Sequence, residues 1–187
     1  MYRTERGTCR SNGTPRRWSS RLRHSSYADS SNPGHREQLI AALEAVQPTE
    51  KTDLGKALEY VARQLKRRGM VIVISDLFGD VARLLAGLKL LRHRGHDVIV
   101  FHVLDKDELE FPFQELTLFK GMEGYPELFA EPRALRQQYL QELHGFIRRV
   151  RDECVARRID YQQLSTADPL DVALSSYLAT RMASSVR

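Results

Sequence analysis

The sequence predicts an α/β fold in which a parallel sheet is flanked by helices. Two apolar runs rich in β-branched residues, Met70–Ser75 and Asp97–Leu104, have the composition of buried parallel strands. Between them, apolar residues recur at helical spacing until Gly95. A strand–helix–strand unit of this kind implies a right-handed crossover, and two strands joined in this way lie parallel in one sheet.

Residues 1–34 differ in composition from the rest and are predicted to be a disordered basic segment. Residues 1–36 contain no Ile, Val or Phe, and the few apolar residues fit no period. Such a segment cannot bury enough apolar surface to offset its chain entropy. Residues 1–36 hold eight arginines and two acids, a net charge of +6, so the remainder of a chain that is +5 overall has −1. Two interpretations stay open: a nucleic-acid-binding arm, or a solvated or non-native stretch, which we favour.

Residues 35–187 are predicted to form one domain. Pro48 ends the first helix, basic residues followed by Gly69 end the second, and Pro132 begins the long fourth helix. An extended stretch at 107–113 precedes a hairpin formed by 116–119 and 127–130, and a weaker third strand covers 159–164. The five helices are expected at 39–46, 54–65, 81–91, 132–154 and 169–178.

The predicted sheet has too few strands for its helices. Doubly wound sheets usually have about five or six strands, and only three are recognisable here. We therefore expect an N-terminally truncated domain in which the strand at Met70–Ser75 lacks a neighbour and has an unpaired apolar edge.

Composition excludes several other classes of protein. No stretch approaches about 18 consecutive apolar residues, so no membrane-spanning helix is predicted. The first residues lack the apolar core of a secretory signal, and the two cysteines form no recognisable spacing. A cytoplasmic protein with reduced thiols is the expectation.

Candidate functional residues follow the strands, because ligands of open α/β sheets bind beyond the carboxyl ends. Asp76 is the strongest candidate, since a carboxylate after a buried strand suits a hard cation such as Mg²⁺. The alternative is that Asp76 or Asp80 caps the next helix. Thr52 is either a helix cap or a second metal ligand. The positions at these strand ends are Ser75, Asp76, Asp105, Ser165 and Thr166.

Several stretches together resemble the DUF58 family, over about residues 35–183. They are Lys-Thr-Asp-Leu at 51–54, the runs 67–77 and 94–105, Glu-Leu-Glu-Phe-Pro-Phe at 108–113, Asp-Tyr at 160–161, and Thr-Ala-Asp-Pro-Leu-Asp at 166–171. The resemblance implies a von Willebrand factor A-like domain with a metal-ion-dependent adhesion site. Thr52 and Asp76 match its second and third ligand positions. The first motif, Asp-x-Ser-x-Ser, does not precede Thr52, so we expect only the C-terminal part of the domain and at most weak Mg²⁺ binding.

The resemblance further implies a non-enzymatic module that binds a protein partner, such as a MoxR-type AAA+ ATPase, through a metal and the partner's acidic residue. No catalytic residue is predicted, and the scattered histidines, including His102 within a strand, are interpreted as surface or satisfied core residues. Two alternatives are a metallophosphoesterase-like hydrolase, suggested by residues 74–80 although Phe78 stands where a histidine is needed, and nucleic-acid binding through the basic segment.

Overall fold

A computed structural model describes residues 2–4, 33–45, 53–121 and 128–185. The chain divides into two compact units, one of Met1–Asp53 with Phe119–Leu128 and one of Leu54–Leu118 with Phe129–Arg187. None of the helices in the described ranges is long and apolar enough to cross a membrane. The elements are β1 Tyr2–Thr4, α1 Pro33–Ala45, α2 Leu54–Gln64, β2 Met70–Ser75, α3 Val81–His93, β3 Asp97–Leu104, α4 Lys106–Glu110, β4 Thr117–Gly121, β5 Leu128–Ala130, α5 Pro132–Ala156, β6 Asp160–Ser165 and α6 Leu170–Ser185.

A small sheet has the order β1-β4-β5, in which β1 pairs antiparallel with β4. The neighbouring positions of β4 and β5 confirm the predicted hairpin. The prediction of disorder covers residues 1–34, of which Tyr2–Thr4 form strand β1; strand pairing uses main-chain groups and does not require an apolar pattern. Helix α1 begins at Pro33. Residues 5–32 lie outside the described residues, so the prediction is untested there.

The larger sheet has the order β2-β3-β6, and all three strands are parallel. Met70 lies beside Asp97 and Ile99 beside Asp160, so β3 is the central strand. The predicted bounds of β2 and β3 are confirmed. The fold class, a parallel sheet flanked by helices, is therefore confirmed as well.

One face of this sheet is covered by α2, α3 and α5. Helices α2 and α3 approach closely because glycines lie at their contact: a Cβ at Gly87 would come within 2.7 Å of the Leu58 Cβ, and one at Gly55 within 2.6 Å of the Arg83 Cβ. The buried residues of this core are Leu58, Ala62, Val73, Leu77, Leu84, Leu88, Leu91, Val98, Val100, Val150, Cys154 and Ile159.

The opposite face is covered by α6, which packs on β3 and β6. Tyr177 of α6 contacts Phe101 edge to face, with ring centroids 5.2 Å apart. Arg181 of α6 forms ion pairs with Asp97 and Asp160, which begin β3 and β6. Aromatic packing and charge pairing therefore fix α6 above these two strands, and the buried residues beneath it are Ile99, Phe101 and Leu164.

The outer strand β2 is buried on one face only, at Val73, and not on both faces as predicted. Met70, Ile72 and Ile74 are 58%, 51% and 70% exposed, and we call these three side chains the apolar row. They lie on the α6 side of the sheet, but the core beneath α6 is formed by β3 and β6. Within the part of the chain that the structure describes, β2 pairs with β3 and with no strand on its other edge.

The stretch predicted to be extended at 107–113 instead begins with helix α4. Asp105 caps this helix, and Glu108 bonds back to the Asp105 backbone in a capping box. These local hydrogen bonds favour a helical turn, and Phe111 ends it in the left-handed conformation, at φ 46°. The Asp-x-x-Glu spacing was the sequence signal for this turn.

Candidate functional site

The turn after β2 is held by the side chains that lead into it. Ser75 Oγ accepts a hydrogen bond from the Leu77 N–H at 3.0 Å, and Asp76 Oδ1 accepts one from the Phe78 N–H at 3.2 Å. Leu77 is buried with a φ of 58°, a conformation that these bonds help to hold. Asp80, not Asp76, caps α3. Asp76 therefore shapes its own turn, and its carboxylate is half-buried at the end of the strand.

A buried histidine supports this turn from beneath. His102 Nε2 lies 2.9 Å from the Asp76 carbonyl oxygen, and Nδ1 lies 2.6 Å from the Tyr161 hydroxyl. Because a carbonyl only accepts, Nε2 must donate, and in the neutral ring Nδ1 then accepts the Tyr161 proton. Burial lowers the pKa of His102, although the hydrogen bond to the Asp76 backbone and the Asp76 charge act in the opposite direction. The ring positions Asp76 through its backbone carbonyl.

The end of β3 is linked to the end of β6. Thr166 Oγ1 donates to Asp105 Oδ2 at 2.8 Å, and the Thr166 N–H donates to the Leu104 carbonyl. Asp105 Oδ1 accepts from the Asp107 N–H at 2.8 Å, while the Asp105 N–H donates to Glu108 at 3.0 Å. Both carboxylate oxygens of Asp105 are therefore engaged in holding α4 and the β6 turn.

Negative charge gathers along these strand ends, which we call the carboxyl edge. Burial raises the pKa of Glu108, and the charges of Asp76 and Asp105 raise it further, while the hydrogen bond from the Asp105 backbone lowers it. The carboxylates of Asp76 and Asp105 follow β2 and β3, the two neighbouring strands of this edge.

The predicted metal ligands are Thr52 and Asp76. Thr52 lies outside the described residues, so the structure does not test its role. Asp76 Oδ1 accepts bonds from the Phe78 N–H and, at 3.4 Å, from the Ser75 hydroxyl, whereas Oδ2 receives none from a described residue. In the described ranges, no three His, Cys, Asp or Glu side chains are grouped so that they could hold a metal ion.

The candidate residues thus have structural partners at the carboxyl edge. Ser75 and Asp76 build one turn, and Asp105 joins another to Thr166. The interpretation of His102 as a satisfied core residue is confirmed. The hydrogen bond from His102 to the Asp76 backbone was not predicted. The parallel register places His102 beside Ser75, the residue before Asp76, so the lengths of the two strands indicate that His102 and Asp76 are close.

Comparison with known proteins gives one match. The family model described as protein of unknown function DUF58 matches residues 29–144, more than half of the chain. No curated protein and no solved structure matches. The motifs on β2, β3 and the turns that follow them lie within the matched range. The chain therefore belongs to the DUF58 family.

Proposed function

We propose that the chain is a non-enzymatic module that binds another protein along β2. The apolar row on this outer strand carries the proposal. Three large apolar side chains, each at least half exposed, stand on one face of an edge strand. Exposed apolar surface of this kind is typical of interaction sites, because water is released when a partner covers it.

The geometry favours an extended segment of the partner as the occupant. The outer edge of β2 presents main-chain donors and acceptors that no described strand satisfies, and an added strand would pair with them. Every second residue of that segment would stand on the same face as the apolar row. The expected partner sequence is therefore an alternating apolar strand.

The state of the polar groups supports a role without catalysis. The hydroxyls of Ser75 and Thr166 bond within their own turns or to Asp105, and both ring nitrogens of His102 are engaged. At the carboxyl edge of the described residues, the carboxylate that accepts from Thr166 also holds the start of α4, so this pair has a structural role.

The family resemblance adds the finer parts of the proposal. The domain is of the von Willebrand factor A type, the partner is a MoxR-type AAA+ ATPase, and the two meet in the cytoplasm. Thr52 and Asp76 would contribute oxygen ligands to a Mg²⁺ ion that reaches an acidic residue of the partner. Two oxygen ligands alone hold the ion weakly, because Mg²⁺ demands near-octahedral ligation.

Binding of the full chain to the purified MoxR-type ATPase of the same genome tests the proposal. We expect complex formation in biolayer interferometry, and loss of the complex in the double variant I72K/I74K. The matched control is L178K/M182K on α6, which replaces two apolar side chains that are 55% and 71% exposed. No complex, or equal losses in both variants, would contradict the proposal.

The same preparations test the metal and the alternative activity. Calorimetric titration with Mg²⁺ and Mn²⁺ should give no tight binding, and sub-micromolar affinity that disappears in Thr52→Ala or Asp76→Ala would contradict the expectation. A chromogenic phosphodiester with Mn²⁺ should not be hydrolysed. Turnover that Asp76→Ala abolishes would instead favour the hydrolase.

A further inference from the structure

The opposite end of the larger sheet has a pocket of a different character. It has a volume of about 400 Å³ and lies where α2 and α3 end and β2 and β3 begin. Five cations and one buried histidine line it, and none of the lining residues is acidic. We call it the basic pocket, and its residues are Arg63, Leu65, Lys66, Arg67, Arg68, Arg94 and His96.

His96 is the unusual member of this set. Its side chain is 1% exposed, and its buried Nδ1 has no hydrogen-bond partner among the described residues. The backbone of His96 is satisfied, because its N–H donates to the Leu91 carbonyl and its carbonyl accepts from Arg92. A buried polar atom left unpaired costs about 1–3 kcal/mol. His96 therefore lines the pocket with a buried ring that has an unpaired nitrogen.

Two of the cations have structural roles. Arg94 Nη1 donates to the Ala62 carbonyl at 2.7 Å and so caps the end of α2. Arg63 Nη2 lies 3.8 Å from Oε2 of Glu59, which is one helical turn earlier on α2, and both side chains of this ion pair are exposed. Pairs of this kind are weak and screened by salt, so Glu59 neutralises only part of the positive charge of Arg63.

The other three cations lack such partners. The side chains of Lys66, Arg67 and Arg68 form no hydrogen bond or ion pair with a described residue, and all three are exposed. Arg68 is held against Gly95, where a Cβ would lie 2.8 Å from its Nε. The Arg68 side chain therefore lines the pocket beside Gly95, next to the start of β3.

Cations are common at the carboxyl ends of helices, where they balance the helix dipole. A helix carboxyl terminus carries roughly half a negative charge, so the ends of α2 and α3 together balance about one cation. Five cations line the pocket, and one of them is partly balanced by Glu59. A surplus of positive charge therefore remains after the helix dipoles are satisfied.

We propose that the basic pocket binds a small oligophosphate anion. A diphosphate concentrates several negative charges within a few ångströms, whereas a carboxylate brings one. Guanidinium groups pair with phosphate oxygens in a bidentate manner, and a phosphate can either accept from or donate to an imidazole nitrogen near neutral pH. The pocket volume also falls within the range of small-molecule sites. This site is independent of partner binding along β2.

Calorimetric titration of the full chain with pyrophosphate tests the site. We expect binding that weakens steeply with added salt and that is stronger than for inorganic phosphate, since more charges are neutralised. The double variant K66Q/R67Q should weaken binding by about tenfold, equivalent to about 1.4 kcal/mol. The matched control R148Q/R149Q removes the same charge from exposed positions on α5 and should change binding less than about twofold.

A second measurement observes the ring nitrogens of His96 directly. In ¹⁵N spectra of the histidine rings, pyrophosphate should shift the His96 nitrogens and leave those of His144, which is exposed on α5, in place. A shift that K66Q/R67Q suppresses supports the site. Equal losses in both double variants, no shift at His96, or binding of a mixed-sequence oligonucleotide or a poly-glutamate peptide in preference to pyrophosphate would overturn it.

Discussion

Strands β2 and β3 lie side by side with similar sequences, yet their surroundings differ. Both contain the run Val-Ile-Val, and Ile72 of β2 is directly beside Ile99 of β3 on the same face. Ile99 is 3% exposed beneath α6, whereas Ile72 is 51% exposed. The difference comes from the neighbours, since β3 has a strand on each side and β2 has one among the described residues. The face of β2 on the α6 side is therefore left out of the core, whereas Val73 on its other face is buried.

The largest expected effect comes from truncating the two paired isoleucines. Ile99→Ala removes a buried side chain and leaves a cavity under α6, so we expect a loss of about 2–5 kcal/mol in the free energy of unfolding. Ile72→Ala removes a half-exposed side chain, and the loss should stay below about 1 kcal/mol. Urea denaturation followed by circular dichroism measures both. Similar losses for the two variants would show that a further element covers β2.

A smaller effect is expected from pH, through His102 of β3. Burial lowers the pKa of this histidine in the folded state, so the unfolded chain binds the proton more readily. The contribution of His102 to the free energy of unfolding is complete above the pKa of about 6.5 that a histidine has in the unfolded chain, and it is lost as the pH falls below that value. The free energy of unfolding of the wild type should therefore decrease as the pH falls from about 7 to about 5.

Two glutamine variants isolate this contribution. His102→Gln keeps an N–H donor for the Asp76 carbonyl but does not titrate, so stability should depend less on pH than in the wild type. His144→Gln changes an exposed histidine and should leave the wild-type slope unchanged. If the slope of His102→Gln equals that of the wild type, His102 is not the group that couples protons to folding.

Much of the fold could be predicted because the signals are local. The bounds of β2 and β3 follow from continuous β-branched runs, and the parallel order follows from the helix between them. The exposure of Ile74 could not be predicted from its own sequence, because it depends on where α6 packs. Strand β1 was missed since main-chain pairing leaves no apolar pattern, and α4 because the capping signal at Asp105 and Glu108 was not weighed.

The candidate site was predicted in position but not in detail. Asp76 and Asp105 were expected at the carboxyl edge because strand ends of a parallel sheet meet there, and both do lie at strand ends. Their hydrogen bonds were not predictable, since the N–H groups that they bind come from turns whose geometry follows from the fold. The basic pocket was missed because residues 63–68 are separated from His96 along the chain and were interpreted as the end of a helix.

Hydrogen exchange of the backbone amides in β2 and β3 tests the open edge most directly. In parallel strands, alternate residues direct their N–H groups to alternate sides. We predict that alternate amides of Met70–Ser75 exchange freely, while those of the central strand Asp97–Leu104 are protected without a break. Uniform protection along β2 would contradict the account, because it would show that the edge is already paired in the free protein.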